Sequence, residues 1–144
     1  MLIREATSAD VSIIVALISE LAQSSGEASP LTLDFTSQYL ASGGKILLAE
    51  MEQQVVGLLS YSTRLDLYHA GNTALIEELV VSASWRGHGI GGALLDALLT
   101  QLEQQSCVEV SVTTMPDNAA AIRFYRAHGL TDEAVFLEKH FAAV

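Results

Sequence analysis

The residues Arg86-Gly87-His88-Gly89-Ile90-Gly91-Gly92 follow the apolar run Leu79-Val80-Val81 and open a segment of strong helical character. Four glycines in the six positions from Gly87 to Gly92 leave the backbone bare, so an anion can lie directly against successive N–H groups. The helix behind them adds its own unpaired N–H groups and positive dipole end. A strand, a glycine turn and a helix N-terminus in that order make a phosphate cradle.

Three cradles of this kind compete. A P-loop needs Gly-x4-Gly-Lys-Ser/Thr, and no lysine follows these glycines, which argues against a nucleotide triphosphatase. The string Gly87-x-Gly89-x-x-Gly92 satisfies the dinucleotide fingerprint. However, Ser82 to Arg86 separate the strand from the first glycine, where the Rossmann turn is tight, and about fifty residues remain, too few for the rest of a doubly wound sheet. Glu109 has the spacing of a ribose-binding acid but falls inside the run Val108-Glu109-Val110.

The third pattern is Arg-x-x-Gly-x-Gly, met by Arg86, Gly89 and Gly91. It resembles the pyrophosphate loop of the GNAT superfamily of acetyl-CoA-dependent N-acetyltransferases. Upstream, Ile76-Glu77-Glu78-Leu79-Val80-Val81 is similar to that family's glutamate-bearing fourth strand. Downstream, Asn118, Tyr125 and Gly129 stand at the spacing of its second motif. The resemblance implies an α/β domain whose mixed central sheet is splayed between its fourth and fifth strands, flanked by about four helices, with acetyl-CoA entering the split. It also implies that Arg86, Gly87, His88, Gly89, Ile90, Gly91 and Gly92 hold the pyrophosphate. The backbone of Leu79, Val80 and Val81 would then meet the pantetheine amides and the oxyanion, and Asn118 would contact the pantetheine arm.

Acetyl transfer to an amine makes three demands. The amine must be neutral, yet an alkylammonium has a pKa near ~10. The tetrahedral intermediate places negative charge on an oxygen that needs donors. The departing thiolate benefits from a proton. For proton removal the sequence offers Glu77 and Glu78. Adjacent strand residues face opposite sides, so one of the two is expected in a given cleft. The family's glutamate stands nine residues before the loop arginine, which selects Glu77. Read from its own sequence neighbourhood, with Phe124 beside it, Tyr125 is a core residue; the resemblance makes it the acid that protonates the thiolate. Asn118 is equally suited to cap its helix. Arg123 and Arg126 could reach the ribose 3′-phosphate or simply face solvent, and His88 is expected to be exposed, its backbone mattering more than its ring.

Composition sets the wider frame. A chain of 144 residues reads as one domain, 1–144, large enough to bury a core without disulfide or metal. The net charge of −10 argues against a nucleic-acid partner, and no apolar run approaches the ~20 residues that span a bilayer. The acidic start Met1-Leu-Ile-Arg-Glu lacks the pattern of a signal peptide, so the cytoplasm is expected. Four scattered histidines and the lone Cys107 show no metal spacing, and Cys107 reads as a buried apolar residue rather than a nucleophile. An acidic surface favours cationic substrates such as amines; a homodimer is compatible with this reading.

Along the chain, Leu2 to Glu5 reads as a strand, and Thr7-x-x-Asp10 as a capping box before a helical stripe from Val11 to Ala22. Leu33 to Leu40 reads as a second helix, then Lys45–Glu50 and Val55–Ser62 as an antiparallel pair. Leu65 to Gly71 is expected to be loop and Thr73 to Val81 a strand. Ile90, Leu94, Leu98 and Leu102 form one row of the next helix, Val108 to Thr113 a strand, Asn118 to Gly129 a capped helix, and Val135 to Phe141 a final strand. Residues 24–42 and 63–72 should border the acceptor pocket. The reading is thus an N-acetyltransferase acting on a small cationic amine or a peptide or protein amine by direct attack. The rivals are an acyl-CoA-binding sensor without turnover and, third, a nicotinamide oxidoreductase.

Overall fold

The computed structural model describes residues 1–142 and divides into two compact units, residues 1–112 and the remainder from Thr113. In the first unit β1 (Leu2–Glu5), β2 (Lys45–Met51), β3 (Gln54–Asp66), β4 (Gly71–Val81) and β5 (Glu109–Val112) form one sheet in sequence order. All pairings are antiparallel except β4 with β5, which is parallel. That last pairing is short: Thr73–Ile76 lie against Glu109–Val112, and the rest of β4 has no strand on that edge. This is the expected splay.

Two helices cover one face and one covers the other. On the first face, α1 (Val11–Ser24) buries Ile14 and Leu17 against Ile46, Leu48, Leu58 and Val80, and α2 (Leu33–Ala41) brings Tyr39 and Leu40 to the same cluster. The expected capping box is present: the Thr7 hydroxyl accepts the Ala9 N–H and the Asp10 carboxylate accepts the Thr7 N–H at 2.7 Å. On the second face, α3 (Ile90–Gln104) buries Ile90, Leu94, Leu98 and Leu102, none more than 3% exposed, each worth roughly 1.5–3 kcal/mol of transfer free energy. Gly57 on β3 lets this helix come close, since a Cβ there would stand 3.0 Å from Ile90 Cγ2.

Two expectations change. Residues 65–71 are not a loop: β3 runs to Asp66, which pairs with Gly71, leaving only Leu67–Ala70 to turn. Nor do Val135–Phe141 form a strand; residues 130–142 carry no regular secondary structure, and Val135, Phe136, Leu137 and Phe141 are exposed. High β-propensity makes a strand only where a neighbour supplies a ladder, and the sheet of the described residues ends at β5. In the second unit, α4 (Ala119–Ala127) is the one regular element among the described residues. No helix of the described residues is long and apolar enough to cross a membrane.

Candidate active site

The splay leaves the outer edge of β4 open from Glu77 to Val81. The Ser82 N–H donates to the Val56 carbonyl at 2.7 Å, so by the ladder's alternation Val80 turns its backbone groups toward β3 while Leu79 and Val81 turn theirs to the open edge. Of the three residues expected to offer backbone, two therefore face outward. The Val81 carbonyl already accepts from Arg86 Nε at 3.2 Å, which folds the turn back on the strand.

Glu77 and Glu78 do not face opposite sides. Ser60 pairs with Glu78, but the next residue, Tyr61, pairs with Ile76, so Glu77 is the extra residue of a bulge. The hydrogen bonds show the consequence: the Ser60 hydroxyl donates to Glu78 at 2.6 Å and the Ser62 hydroxyl to Glu77 at 3.1 Å. Ser60 and Ser62 are alternate residues of β3 and share a face, so both carboxylates lie on that face. The Glu78 N–H donates to Ser60 Oγ at 3.0 Å. Burial pushes the Glu78 carboxyl above its ordinary value; the Ser60 hydroxyl pulls it back part of the way and the Glu77 charge adds to the rise. Glu77 itself is exposed.

Each carboxylate lines its own cavity. Glu77 borders a cleft of about 490 Å³ with Tyr39, Gly44, Lys45, Ser62 and Thr63, and Glu78 a cavity of about 300 Å³ with Ile14, Ile18, Leu31, Leu58 and Ser60. Phe35 and Tyr39 line both. Burial, then the charges of Glu77 and Glu78, raise the pKa of the Tyr39 phenol. Gly44 is required beside it, because a Cβ would run into the Tyr39 ring and carbonyl. Residues 24–42, expected to border the acceptor pocket, supply lining to both cavities, whereas 63–72 contribute Thr63 alone. Ser60, Ser62 and Tyr39 were not singled out from the sequence; the available signal was a pair of hydroxyls at strand spacing, Ser60-x-Ser62, near consecutive acids.

Beyond the open edge the glycine turn forms as expected. Gly87 and Gly89 have φ of +80° and +75°, and a Cβ on either would meet nothing within 4 Å, so the bare backbone faces open space. Gly89 caps α3 with no side-chain hydrogen bond, leaving the first N–H groups of Ile90, Gly91 and Gly92 without a cap. Gly91 and Gly92 lie in the first helical turn, and the Ile90 side chain belongs to the core, so only its backbone is available. The His88 ring packs beside Trp85, its Nδ1 within 3.0 Å of the Trp85 carbonyl and 3.1 Å of the Arg86 carbonyl. Only a protonated Nδ1 can donate to either. The ring thus braces the turn. Cys107 is partly exposed rather than buried, its Sγ 3.3 Å from both the Asn72 and the Glu109 carbonyl, either of which can accept its one S–H.

In the second unit, Asn118 Oδ1 accepts the Ala121 N–H at 3.1 Å and caps α4, a bond that uses only one end of the amide. The helix ends where Gly129 takes φ +96°: the Leu130 N–H returns to the Tyr125 carbonyl and the Gly129 N–H to that of Arg126. Tyr125 is thereby fixed in the last turn. It is half-buried, its ring edge-on to Phe124, and burial alone raises its phenol pKa. Arg126 pairs with Glu133 at 2.9 Å, and Arg123 is exposed.

Residues 14–130 match the model of the acetyltransferase (GNAT) family. The chain is 30% identical over 127 residues to the aminoalkylphosphonate N-acetyltransferase of Salmonella typhimurium, covering 88% of this chain and 82% of that protein. Among solved structures, a transcriptional regulator from Bacillus halodurans C-125 matches with a TM-score of 0.84 at 24% identity, covering 97% of this chain and 99% of that one. An aminoglycoside acetyltransferase from an uncultured soil metagenomic sample, solved with sisomicin, matches with a TM-score of 0.82 at 21% identity, covering 99% and 96%. At these identities the two structures speak to the fold alone.

Proposed function

This chain belongs to the acetyltransferase (GNAT) family, and from that premise we propose that it moves an acetyl group from acetyl-CoA to a primary amine by direct attack in a ternary complex. The observation that carries the reading is one continuous stretch of chain: paired carboxylates on β4, then an open strand edge, then a glycine turn into an uncapped helix. The bare backbone at Gly87 and Gly89 fits a pyrophosphate, and the N–H groups of Ile90, Gly91 and Gly92, with Arg86, would hold it. Acetyl-CoA supplies the thioester.

Glu77 accepts the proton of the ammonium, directly or through water, and the freed nitrogen forms its bond to the acetyl carbon as the carbon–sulfur bond breaks. The outward N–H groups of Leu79 and Val81 are the donors available at the open edge for the oxyanion. Tyr125 gives its proton to the leaving sulfur and regains one, directly or through water, as the new amide nitrogen loses its second proton; its raised pKa keeps the phenol protonated at neutral pH. Asn118, with one end of its amide committed to the helix cap, offers the other to the pantetheine arm. The family match runs through both units, which supports a single catalytic domain, and we place the reaction in the cytoplasm.

Acetyl-CoA at a hundred times its Kd should stabilise the protein by ~2.7 kcal/mol, a rise of several degrees in Tm, whereas NAD and ATP should leave Tm unchanged. Release of free thiol from acetyl-CoA on adding primary amines then tests turnover. Equal stabilisation by NAD would refute the assignment.

A further inference from the structure

We propose that the acceptor is a monoamine carrying an apolar arm, its ammonium set between Glu77 and Glu78 and its arm in the cavity beside Glu78. This rests on the acetyl-transfer reading of the same site and specifies its substrate. The bulge in β4 is the first reason: it puts two carboxylates of adjacent residues on one face, each held, among the described residues, by a serine hydroxyl rather than by a cation. A single ammonium between them would be attracted to both and would reduce their joint charge from −2 to −1.

The second reason is the contrast between the carboxylate and its walls. Glu78 is the one charged residue lining a cavity whose walls are mostly apolar, Ile14, Ile18, Leu31 and Phe35 among them, with Ser60 beside the carboxylate and Ser29, Thr36 and Tyr39 as the other polar side chains. A half-buried carboxylate among apolar side chains costs free energy unless it is paired, and Ser60 supplies one hydrogen bond where an ammonium could supply several. Its volume of about 300 Å³ holds roughly ten groups of ~30 Å³, enough for a phenylethyl or hexyl arm and too little for a multi-ring sugar. Phe35 at the mouth is 58% exposed, an aromatic face that such an arm would cover. A phosphonate-bearing amine fits poorly, because among the described residues Lys45 is the only cation lining either cavity.

With saturating acetyl-CoA, initial rates of thiol release should be measured for ethylamine through hexylamine, 2-phenylethylamine, 2-aminoethylphosphonate and an aminoglycoside. KM should fall about fourfold for each methylene added until the cavity fills, with the phosphonate and the aminoglycoside among the poorest substrates. Leu31→Asp and Phe35→Ala should both flatten that gradient while the Tm rise with acetyl-CoA, which reports an intact fold, persists. A KM independent of chain length, or a preference for the phosphonate or the sugar, overturns this inference and leaves acetyl transfer standing. A gradient undiminished in both variants also overturns it, because the arm then lies elsewhere. If no amine is turned over by a protein that acetyl-CoA still stabilises, the acetyl-transfer reading falls with it.

Discussion

Ser60→Ala separates a hydroxyl that merely fills the sheet from one that holds the carboxylate proposed to bind the substrate ammonium. Ser60 is 3% exposed, donates to Glu78 at 2.6 Å and accepts the Glu78 N–H at 3.0 Å, so one substitution removes both bonds and creates almost no void. A hydrogen bond to a charged group contributes about 1.5–3 kcal/mol, one to a neutral group about 0.5–1.5 kcal/mol. The bond to Glu78 changes from the first kind to the second when the carboxyl is protonated. Because burial raises the Glu78 pKa, the folded state takes up this proton before the unfolded chain does as pH falls. The group therefore costs stability at neutral pH, and the cost fades toward acid. Ser60 offsets it most while Glu78 is charged. Thermal unfolding of Ser60→Ala should therefore show its largest Tm deficit at neutral pH, several degrees for a chain of this size, and a deficit smaller by about 1 kcal/mol near pH 4. In parallel, the acid limb of kcat/KM should move to higher pH, since the carboxyl has lost the partner that lowers its pKa. An equal deficit at both pH values with an unmoved limb would refute the reasoning and reduce Ser60 to packing.

Five further substitutions have outcomes that follow from the geometry. Glu77→Gln should depress kcat/KM most at neutral pH and recover part of it as pH rises toward the amine's own pKa near ~10, as followed in the pH–rate profile; Glu78→Gln should act mainly by raising the KM for the amine. Tyr125→Phe should lower kcat about a hundredfold while the acetyl-CoA thermal shift persists. Gly89→Ala forces an L side chain into φ +75° at about 1–2 kcal/mol, and its Cβ enters the space assigned to the pyrophosphate. Tm of the free protein should drop by a few degrees and the rise with acetyl-CoA should largely vanish in the same thermal scan. The Arg4 guanidinium, 2.8 Å from Asp10, and after it the Thr7 N–H and hydroxyl, lower that carboxyl from 3.8 to about 2, so a contribution of about 2 kcal/mol is present above pH ~4 and lost between about pH 4 and 2. Arg4→Met should remove most of it at pH 7 and flatten acid unfolding over that window.

What the sequence revealed and what it concealed divide along a physical line. The capping box at Thr7, the apolar row of α3, the glycine turn and the Gly129 helix stop each depend on residues within a few positions of one another, and all form as read. A strand depends on its neighbour. Val135-Phe136-Leu137 has the composition of a strand and pairs with nothing among the described residues, while Leu65–Gly71 looks like loop yet is carried into a hairpin by the register of β3 and β4. The same dependence hid the orientation of Glu78, which strict alternation would turn away from Glu77.

A trace of the bulge was nevertheless present in the residue pattern. Strict alternation places Ile76, Glu78 and Val80 in one row, which would bury a carboxylate between two core residues that are 1% and 5% exposed. The bulge resolves the conflict. Ile76 pairs with Tyr61, whose hydroxyl accepts from Gln101 of α3, and so belongs to the α3 face. Val80 pairs with Leu58 and packs with Ile14 and Leu17 of α1, and so belongs to the opposite face. One added residue lets both apolar side chains reach their own cores, and the carboxylates of Glu77 and Glu78 emerge together on the α1 side. The irregularity that makes an apolar strand tolerate two consecutive acids is thus the same one that gives the proposed site a paired carboxylate for an ammonium.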